Sequence, residues 1–520
     1  MNSSQALAGF RTDDERIDHA VHGLRLAGPG MSAHRVMSRR QYVGLIVALV
    51  LIVGAGVLDL ADTARVVIIA LTALYSGCLI YRLVLVKRGL DGSDLMRISD
   101  QDALALTDDE LPVYTILVPA FREPEVIGRV IAAMAGLNYP AHKLDIKLLL
   151  EADDHETIAA ARASIGDSPV SIVLVPEAEP RTKPKACNYG LQLATGEFVT
   201  IYDAEDRPDP LQLRKAVVAL GRLGPGYACV QARLGYFNDR QNMITKWFAI
   251  EYGTWFRFLL PGLVASSAPI PLGGTSNHFR TELLKAIGAW DPFNVTEDAD
   301  LGIRLARLGY SVAVLDSVTQ EEANSDLVNW VKQRSRWYKG YLQTWLVHMR
   351  EPVTLWRELG WRGSLGFHLF VLGTPLTSLF NPIFWGLAVV WFVKRPDWLA
   401  ALFPSGIYYL ALLCFIVGNC AVVYTNMLTT RVMNRPGLLV AAVLVPFYWL
   451  MMAAAAAKAA YQLVFTPSYW EKTAHGLSSA DHESPSADHE SPSASPQPFS
   501  SPSPLPSTES ERPPAAEMAF

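Results

Sequence analysis

Residues 113–137 read VYTILVPAFREPEVIGRVIAAMAGL, and this stretch decides the fold. An apolar run at 113–118 predicts a strand that ends at Pro119. Apolar residues then recur at helical spacing from Val126 to Met134, which predicts a helix directly after the strand. A strand followed by a helix is the repeating unit of sheets that are wound with helices.

Three more apolar runs continue this pattern at 146–150, 171–175 and 198–202. Alternating strands and helices predict an α/β domain with a mostly parallel, twisted sheet and helices on both faces. In such a sheet, ligands bind at the carboxyl ends of the strands. Side chains that can bind a ligand or take part in a reaction are therefore expected directly after the strand ends.

Acidic residues follow three of these strands. They are Glu123 after the first strand, the Glu-Ala-Asp-Asp run at 151–154 after the second, and Asp-Ala-Glu-Asp at 203–206. A single acidic loop is usually a solvated turn or a helix cap. Because parallel strands end at the same edge of a sheet, three acidic loops together favour a ligand site.

Asp203 and Glu205 carry hard oxygen ligands that suit Mg²⁺ or Mn²⁺. A divalent cation there would bridge the protein to a diphosphate and offset the charge of a leaving nucleotide. Lys185, within RTKPKACN at 181–188, would add a positive charge to the same phosphates.

Two later segments also carry reactive side chains. Thr-Glu-Asp at 296–298 opens an amphipathic helix, where the acids either cap the helix or remove a proton from an acceptor hydroxyl. Gln-Arg-Ser-Arg-Trp at 333–337 is flanked by further aromatic residues. Arginine beside aromatic rings is also typical of a membrane-interface belt. This segment is therefore either part of the reactive site or part of such a belt.

Five apolar stretches are each long enough to cross about 30 Å of hydrocarbon, at 41–60, 64–86, 364–393, 403–426 and 437–464. Basic residues precede the first stretch and follow the second, whereas the link between them contains two aspartates and one arginine. The positive-inside rule then places the N-terminus and the long middle segment in the cytoplasm. We expect a multi-pass protein of the cytoplasmic (inner) membrane.

The overall composition excludes some partners. A net charge of −5, without a dense basic stripe, argues against a nucleic-acid partner. The five cysteines form no Cys-x-x-Cys pair, which favours buried, reduced thiols.

These segments together resemble the membrane-bound family 2 glycosyltransferases, which include cellulose, chitin, hyaluronan, curdlan-type and mixed-linkage glucan synthases. The resemblance covers residues 87–476. Its most specific part is Gln-x-x-Arg-Trp at 333–337, which follows Thr-Glu-Asp at 296–298 and the acidic motif at 203–205 in the family's order. The resemblance implies a GT-A-type domain that polymerises a β-linked polysaccharide from a nucleotide sugar.

Matching the family's motifs implies a role for each residue. Asp203 and Glu205 would bind the metal, with Glu205 at a position where the family usually has Asp. Asp298 would act as the general base beside Thr296 and Glu297. The residues that would bind the donor or the acceptor are Phe121, Glu123, Glu151, Asp153, Lys185, Gly274, Thr275, Gln333, Arg336 and Trp337.

The nucleoside end of this assignment stays open. Phe121, Glu123 and an acid of 151–154 would hold uridine, but Glu-Ala-Asp-Asp stands where the family has Asp-Asp-Gly. Lys185 and Arg336 would contact the diphosphate. Trp337 would stack on the acceptor sugar, since an indole face suits a sugar ring.

The C-terminal segment 470–476 resembles the gating loop of cellulose synthases, with Trp470, Thr473 and His475 at its matching positions. A membrane-exit loop is the alternative interpretation. A gating role requires an even number of membrane crossings, so that residue 470 returns to the cytoplasm. We therefore expect a fourth C-terminal crossing, which would arise if a break near Pro382 divides the stretch 364–393 into two spans.

The domain organisation follows from these segments. The aromatic-rich segments 242–263 and 341–356 are expected at the membrane surface, in contact with lipid. The expected parts are a polar cytoplasmic N-terminus (1–40), two transmembrane helices (41–86), the GT-A domain (87–345), an interfacial helix with three or four transmembrane helices (346–466), the gating loop (467–476) and a disordered Ser/Pro-rich tail (477–520).

The resemblance implies an inverting, processive enzyme that makes β-glucan from UDP-glucose and exports it through its own membrane channel. Its partners would be the nucleotide-sugar donor, the growing polysaccharide, membrane lipid and an accessory export or regulatory subunit. N-acetylglucosamine or GDP-linked mannose would fit the same site.

Two other functions remain alternatives. A non-processive transferase would add a single sugar to a lipid-linked acceptor. A transporter or membrane scaffold with a degenerate nucleotide fold would tolerate replacement of Asp203, Asp298 and Arg336.

Overall fold

The computed structural model describes residues 12–92, 94–467 and 469–471. Thr473, His475 and the tail at 477–520 lie outside the described residues. Three helices precede the α/β domain, namely α1 (Asp13–Ala27), α2 (Arg39–Leu58) and α3 (Leu60–Gly89).

The α/β domain contains nine strands and ten helices within the described residues. The strands are β1 (Leu95–Met96), β2 (Tyr114–Ala120), β3 (Leu144–Glu151), β4 (Val170–Val175), β5 (Phe198–Ile201), β6 (Arg207–Pro208), β7 (Tyr227–Tyr236), β8 (Asn277–Arg280) and β9 (Ser311–Glu321). The helices are α4 (Asp100–Ala105), α5 (Ile127–Ala135), α6 (His155–Ser164), α7 (Lys183–Gln192), α8 (Gln212–Leu223), α9 (Met243–Thr254), α10 (Leu260–Ala265), α11 (Thr281–Ala286), α12 (Glu297–Arg307) and α13 (Leu327–His348).

Helices form the rest of the described chain. They are α14 (Pro352–Gly366), α15 (Gly373–Lys394), α16 (Asp397–Leu402), α17 (Ser405–Leu413), α18 (Asn419–Val432), α19 (Leu439–Val443) and α20 (Val445–Phe465). Short π-helical turns join α9 to α10, α14 to α15 and α17 to α18.

The strands form one sheet in the order β1-β9-β7-β8-β5-β2-β3-β4, and β6 pairs with β9. β2 is parallel to both β3 and β5, with Tyr114 opposite Leu144 and Phe198. β8 is antiparallel to β5 and β7. The predicted mostly parallel α/β sheet is therefore confirmed, with one antiparallel strand at its centre.

Both faces of the sheet are covered by helices because side chains alternate along each strand. Ile116 and Val118 of β2 pack in the core formed with α5, α6 and α8. Leu117 points to the opposite face and packs in the core formed with α7, α11 and α12. This arrangement leaves the carboxyl ends of β2, β3 and β5 free to present loops to one cavity.

Helix α1 lies in the N-terminal region that was expected to be polar and unpatterned. Its buried residues are Ile17, Ala20, Val21 and Leu24, whose i, i+3, i+4, i+7 spacing forms one apolar stripe. Asn188 of α7 donates a hydrogen bond to the Ala20 carbonyl at 3.0 Å. The segment after α1 is also held, because Asp291 accepts hydrogen bonds from Ser32 and the Ala33 amide.

In the part of the chain that the structure describes, four helical segments are long and apolar enough to cross a membrane: Arg39–Leu58, Leu60–Gly89, Pro352–Lys394 and Ser405–Val432. A fifth is possible by length and composition only if the bent pair Pro436–Val443 and Val445–Phe465 counts as one span. The break expected near Pro382 is absent, since α15 continues through that residue. The helical path breaks instead at Gly360 in α14, where φ is 64°.

Helix α20 lies beside α13 along its length. Near its start, Tyr448 donates to Glu251 of α9 and accepts from Trp330 of α13, at 2.7 and 3.2 Å. Just after its end, the Pro467 carbonyl accepts a hydrogen bond from Gln343 of α13 at 2.7 Å. Both ends of α20 therefore contact the α/β domain.

In the aromatic segment 242–263, which is expected at the membrane surface, several large rings are buried within the protein. Trp247 and Phe248 are 9% and 1% exposed. Trp247 donates its indole N–H to the Ala441 carbonyl at 2.9 Å. These rings form an apolar core with α19 and α20 and hold the C-terminal helices to the domain.

Gly340 is a position where the packing of α13 against α12 can be tested. A Cβ at Gly340 would collide with the side chain of Thr296, which precedes α12. We predict that Gly340→Ala lowers the apparent melting temperature of the detergent-solubilised protein, with a cost of about 1–3 kcal/mol. Gly221→Ala, on an exposed position of α8 with no neighbouring atom within 4 Å, is the control and should keep or slightly raise the melting temperature, since alanine favours the helix. Equal melting temperatures for the two variants would contradict this packing.

Candidate active site

One cavity of about 620 Å³ lies at the carboxyl ends of the central strands and continues between α3, α15 and α18. It collects most of the residues that the sequence singled out. They are Phe121, Glu123, Glu151, Asp203, Glu205, Gly274, Thr275, Thr296, Glu297, Asp298, Gln333, Arg336, Trp337 and Trp470. Among the predicted residues that the structure describes, only Asp153 and Lys185 do not line it.

Lys185 is placed differently from the expectation. Its side chain is fully buried beneath the cavity wall, and its ammonium donates to Glu151 at 2.7 Å and to the Ala178 carbonyl at 3.3 Å. In this structure its ammonium faces Glu151 and not the cavity. Its contact orients Glu151, whose carboxylate does line the cavity.

Asp153 does not line the cavity itself but pairs with Arg181, a residue to which the family motifs gave no role. Arg181 lines the cavity and donates to Asp153 at 2.5 Å. This hydrogen bond lowers the pKa of Asp153. Of the acids at 151–154 that were left open for the nucleoside, Glu151 therefore reaches the cavity, and Asp153 fixes Arg181.

Lys183 is a second cation that lines the cavity on this side, beside Arg181. As the first residue of α7, it donates to Asp203 and to the Gly274 carbonyl, the latter at 2.8 Å. The family's motif is Lys-Ala-x-Asn, and in Lys-Pro-Lys-Ala-Cys-Asn only Lys185 directly precedes the alanine. The resemblance therefore implied Lys185 and not Lys183. The clue to Lys183 was its position at a helix start, where its side chain can reach the strand ends.

Glu297 and Asp298 lie side by side at the start of α12. Burial raises the pKa of Asp298, and the cations Lys183 and Arg336 oppose this shift. Burial also raises the pKa of Glu297, and the adjacent Asp298 raises it further. Asp298 is held in place by the Ala299 amide, which donates to it at 2.7 Å. A carboxylate with a raised pKa is suited to accepting a proton near neutral pH.

Helix α12 is fixed from behind by a buried polar network. Asp300 accepts hydrogen bonds from Arg304 at 2.9 Å and pairs with His348 of α13 at 3.1 Å. All three side chains are fully buried. Arg304 also donates to the carbonyls of Ile287 and Ala289. The network connects α12, which carries Asp298, to α13, which carries Arg336.

Arg336 faces the acids across the cavity. Burial lowers its pKa, while attraction to Glu297 and Asp298 opposes this. Its guanidinium lies 4.7 Å from the ring centre of Trp470, and its buried Nε has no hydrogen-bond partner. An arginine fork with unused donors can bind phosphate oxygens.

The residues around Asp203 fit a divalent cation. Asp206 is buried and Glu321 is half-buried, and both have pKa values raised by desolvation and by the charges of Asp203 and Glu205. The buried Oδ1 of Asp206 has no hydrogen-bond partner. This excess of negative charge suits Mg²⁺ or Mn²⁺. Within the described residues, however, no three acidic, His or Cys side chains are arranged to hold a metal without a ligand.

Sequence comparison shows what this domain is similar to. Residues 112–340 match the profile of the family described as "Glycosyltransferase like family 2". The domain is therefore similar to family 2 glycosyltransferase domains over this part of the chain.

Three curated relatives show the range of similarity. The probable glycosyltransferase YdaM of Bacillus subtilis is 27% identical over 44% of this chain and 56% of its own length. The β-monoglucosyldiacylglycerol synthase of Synechocystis is 25% identical over 71% of this chain and 76% of its own length. The probable glucomannan 4-β-mannosyltransferase 7 of Oryza sativa is 26% identical over 44% of this chain and 41% of its own length. The chain thus spans about half the length of the first and third relatives.

Among solved structures, the mannosyltransferase PcManGT of Pyrobaculum calidifontis, in complex with GDP-Man and Mn²⁺, is 22% identical. The alignment covers 74% of this chain and 99% of that structure, with a TM-score of 0.48.

The planar guanidinium of Arg336 predicts that lysine cannot replace this arginine in the reaction. Arg336→Lys keeps the charge but removes the planar fork, so turnover of the nucleotide sugar should fall by about 100-fold. The apparent melting temperature should change little, since the Nε has no partner to lose. Arg362→Lys in α14 is the matched control, because Arg362 does not line the cavity. Unchanged turnover in Arg336→Lys would contradict this role.

Proposed function

We propose that the protein is an inverting, processive glycosyltransferase that builds a β-linked polysaccharide from a nucleotide sugar at the cytoplasmic face of a membrane. One observation carries this proposal: a single cavity joins the carboxylates of the α/β domain to polar side chains of the apolar helices. A growing polymer held in such a cavity would keep its end at the reacting groups while its length extends between the helices.

The reaction is a direct displacement. Asp298 takes the proton of the acceptor hydroxyl, the hydroxyl oxygen forms a bond to C1 of the donor sugar, and the bond from C1 to the diphosphate breaks. The nucleoside diphosphate leaves with the electron pair of that bond. One displacement inverts C1, so an α-linked donor yields a β-linked product.

The cations of the site surround the position of the leaving group. Arg336 and Lys183 lie on the same cavity as Asp298 and can stabilise the negative charge that develops on the diphosphate. Asp203 and Glu205 would hold the divalent cation, which neutralises part of the same charge when it is bound. Glu151 and Arg181 would contact the nucleoside.

The helix-bound part of the cavity supports a polar acceptor. Asn381 of α15 and Asn419 and Asn426 of α18 line it, together with Tyr75 of α3 and Trp449 of α20. Amide side chains in apolar helices are costly unless they face a polar ligand or water. Amides can hydrogen-bond sugar hydroxyls, and aromatic faces can stack on sugar rings.

Contacts at the end of α18 support an even number of crossings by a different route from the expected one. Arg435, just after α18, pairs with Asp239 of the α/β domain at 3.6 Å. Because both ends of α20 also contact that domain, the last apolar stretch need not cross the membrane. Four crossings, by α2, α3, α14–α15 and α17–α18, would then keep Trp470 with the catalytic domain in the cytoplasm.

A second function, transfer of one sugar to a lipid acceptor, is favoured by a separate observation. An apolar pocket of about 90 Å³ adjoins the main cavity and shares Tyr75 and Asn381 with it. It has room for part of an acyl chain. The Synechocystis relative is named for a glucosyldiacylglycerol product. This alternative uses the same donor site and differs only in the acceptor.

The test is incorporation of radiolabelled UDP-glucose by inverted membrane vesicles with Mg²⁺ or Mn²⁺, with GDP-mannose and UDP-N-acetylglucosamine assayed in parallel. We predict alcohol-insoluble polymer that a β-specific glycanase degrades and that is lost in Asp298→Asn. Asp316→Asn, outside the cavity, is the control. Labelled lipid without polymer would support the single-transfer alternative, and full activity in Asp298→Asn would remove it as the base.

The raised pKa of Asp298 predicts an unusual pH dependence. The base must be ionised, so activity should be lost on acidification at a higher pH than an ordinary aspartate would give. Arg336 lowers the pKa of Asp298, so Arg336→Gln should raise that pKa further. The acidic limb of the kcat/KM profile should therefore move to higher pH in the residual activity of Arg336→Gln. An acidic limb that stays in place in this variant would contradict the coupling of Arg336 to Asp298.

A further inference from the structure

Lys183 occupies the position that a divalent cation would need. Its ammonium is hydrogen-bonded to Asp203, the first acid of the metal motif, and to the Gly274 carbonyl at 2.8 Å. Its side chain is 20% exposed, so it lies at the cavity wall and not in the core. The ammonium therefore uses one of the oxygens that would otherwise coordinate the metal.

The ammonium forms a close ion pair with Asp203. A metal that approached Asp203 would meet this positive charge at close range. Two cations that share one carboxylate repel each other strongly in a partly buried site.

A diphosphate changes this balance. It brings negatively charged oxygens that can coordinate the metal and accept hydrogen bonds from the ammonium. Lys183 is tied to Asp203 by a flexible side chain, whereas Lys185 is sealed against Glu151 and cannot exchange partners. Lys183 is thus the lysine of this segment that can move from a carboxylate to a phosphate.

We propose that Lys183 blocks Asp203 in the nucleotide-free enzyme and transfers to the diphosphate when the nucleotide arrives, so that the divalent cation binds together with the nucleotide and not before it. Lys183 then holds the leaving group while Asp203 and Glu205 hold the cation. This inference rests on the proposed donor site, but it concerns the order of binding and not the identity of the sugar.

The test measures Mn²⁺ binding by electron paramagnetic resonance on the full-length protein in detergent, with and without UDP. In the wild type, UDP should tighten Mn²⁺ binding by at least about tenfold. In Lys183→Gln, Mn²⁺ alone should bind about tenfold more tightly than to the wild type, so that the gain from UDP shrinks. Lys183→Arg retains a cation and should behave as the wild type in the absence of UDP.

Lys285→Gln is the matched control, since Lys285 pairs with Glu282 on the surface of α11. It removes one positive charge far from Asp203 and should leave Mn²⁺ binding unchanged. If Lys183→Gln binds Mn²⁺ no more tightly than the wild type and this control, the inference is overturned. It is also overturned if the wild type binds Mn²⁺ equally well with and without UDP.

The outcomes separate this inference from the proposed function. A wild type that transfers sugar, combined with unchanged Mn²⁺ affinity in Lys183→Gln, overturns the blocking role and leaves the enzyme assignment intact. The predicted Mn²⁺ pattern in a protein that forms no polymer would support the role of Lys183 and overturn the polymerase.

Discussion

The buried carboxylate of Asp300 connects the two helices that carry the reacting groups. Burial alone would raise its pKa, but the hydrogen bond from His348 and attraction to Arg304 lower it overall. A buried ion pair of this kind contributes little net stability compared with apolar packing, because its charges must be desolvated. Its effect here is positional, since it fixes α12 relative to α13 and hence Asp298 relative to Arg336.

The C-terminal helices extend the same constraint. Tyr448 and Glu251 contact Arg334, which lies two residues before Arg336, and Glu251 binds the Arg334 guanidinium through both of its carboxylate oxygens. Lys339 donates to the Tyr469 carbonyl at 2.6 Å. Helix α13 is therefore held by the α/β domain on one side and by α20 and its following residues on the other. The donor site and the apolar helices are parts of a single packed structure.

Much of this architecture was predictable from local pattern. Apolar runs of strand length and helical spacing predicted β2, β3, β4, β5 and the helices between them, and at least one acid from each of the loops after β2, β3 and β5 lines the same cavity. The antiparallel β8 was missed because Asn277–Arg280 is short and mixed in polarity. Helix α1 was missed because its apolar stripe lies among many charged residues.

Other features depend on tertiary contacts, which cannot be deduced from the spacing of residue types along the sequence. Lys183 and Lys185 are the same residue type two positions apart, and only the path of α7 decides which one reaches Asp203. The last apolar stretch has the length of a membrane span, yet its partner is α13. Hydropathy measures how apolar a helix is, but an apolar helix is stabilised equally by lipid and by protein.

The contact between Arg336 and Trp470 has a consequence for biosynthesis. Protein chains leave the ribosome from the N-terminus, and domains generally fold in that order. Arg336 therefore emerges, together with the whole α/β domain, long before Trp470 does. Trp470 can complete the cavity wall only after the apolar helices between these two residues have been synthesised and inserted. A nascent chain therefore carries an incomplete cavity until its C-terminal helices are in place.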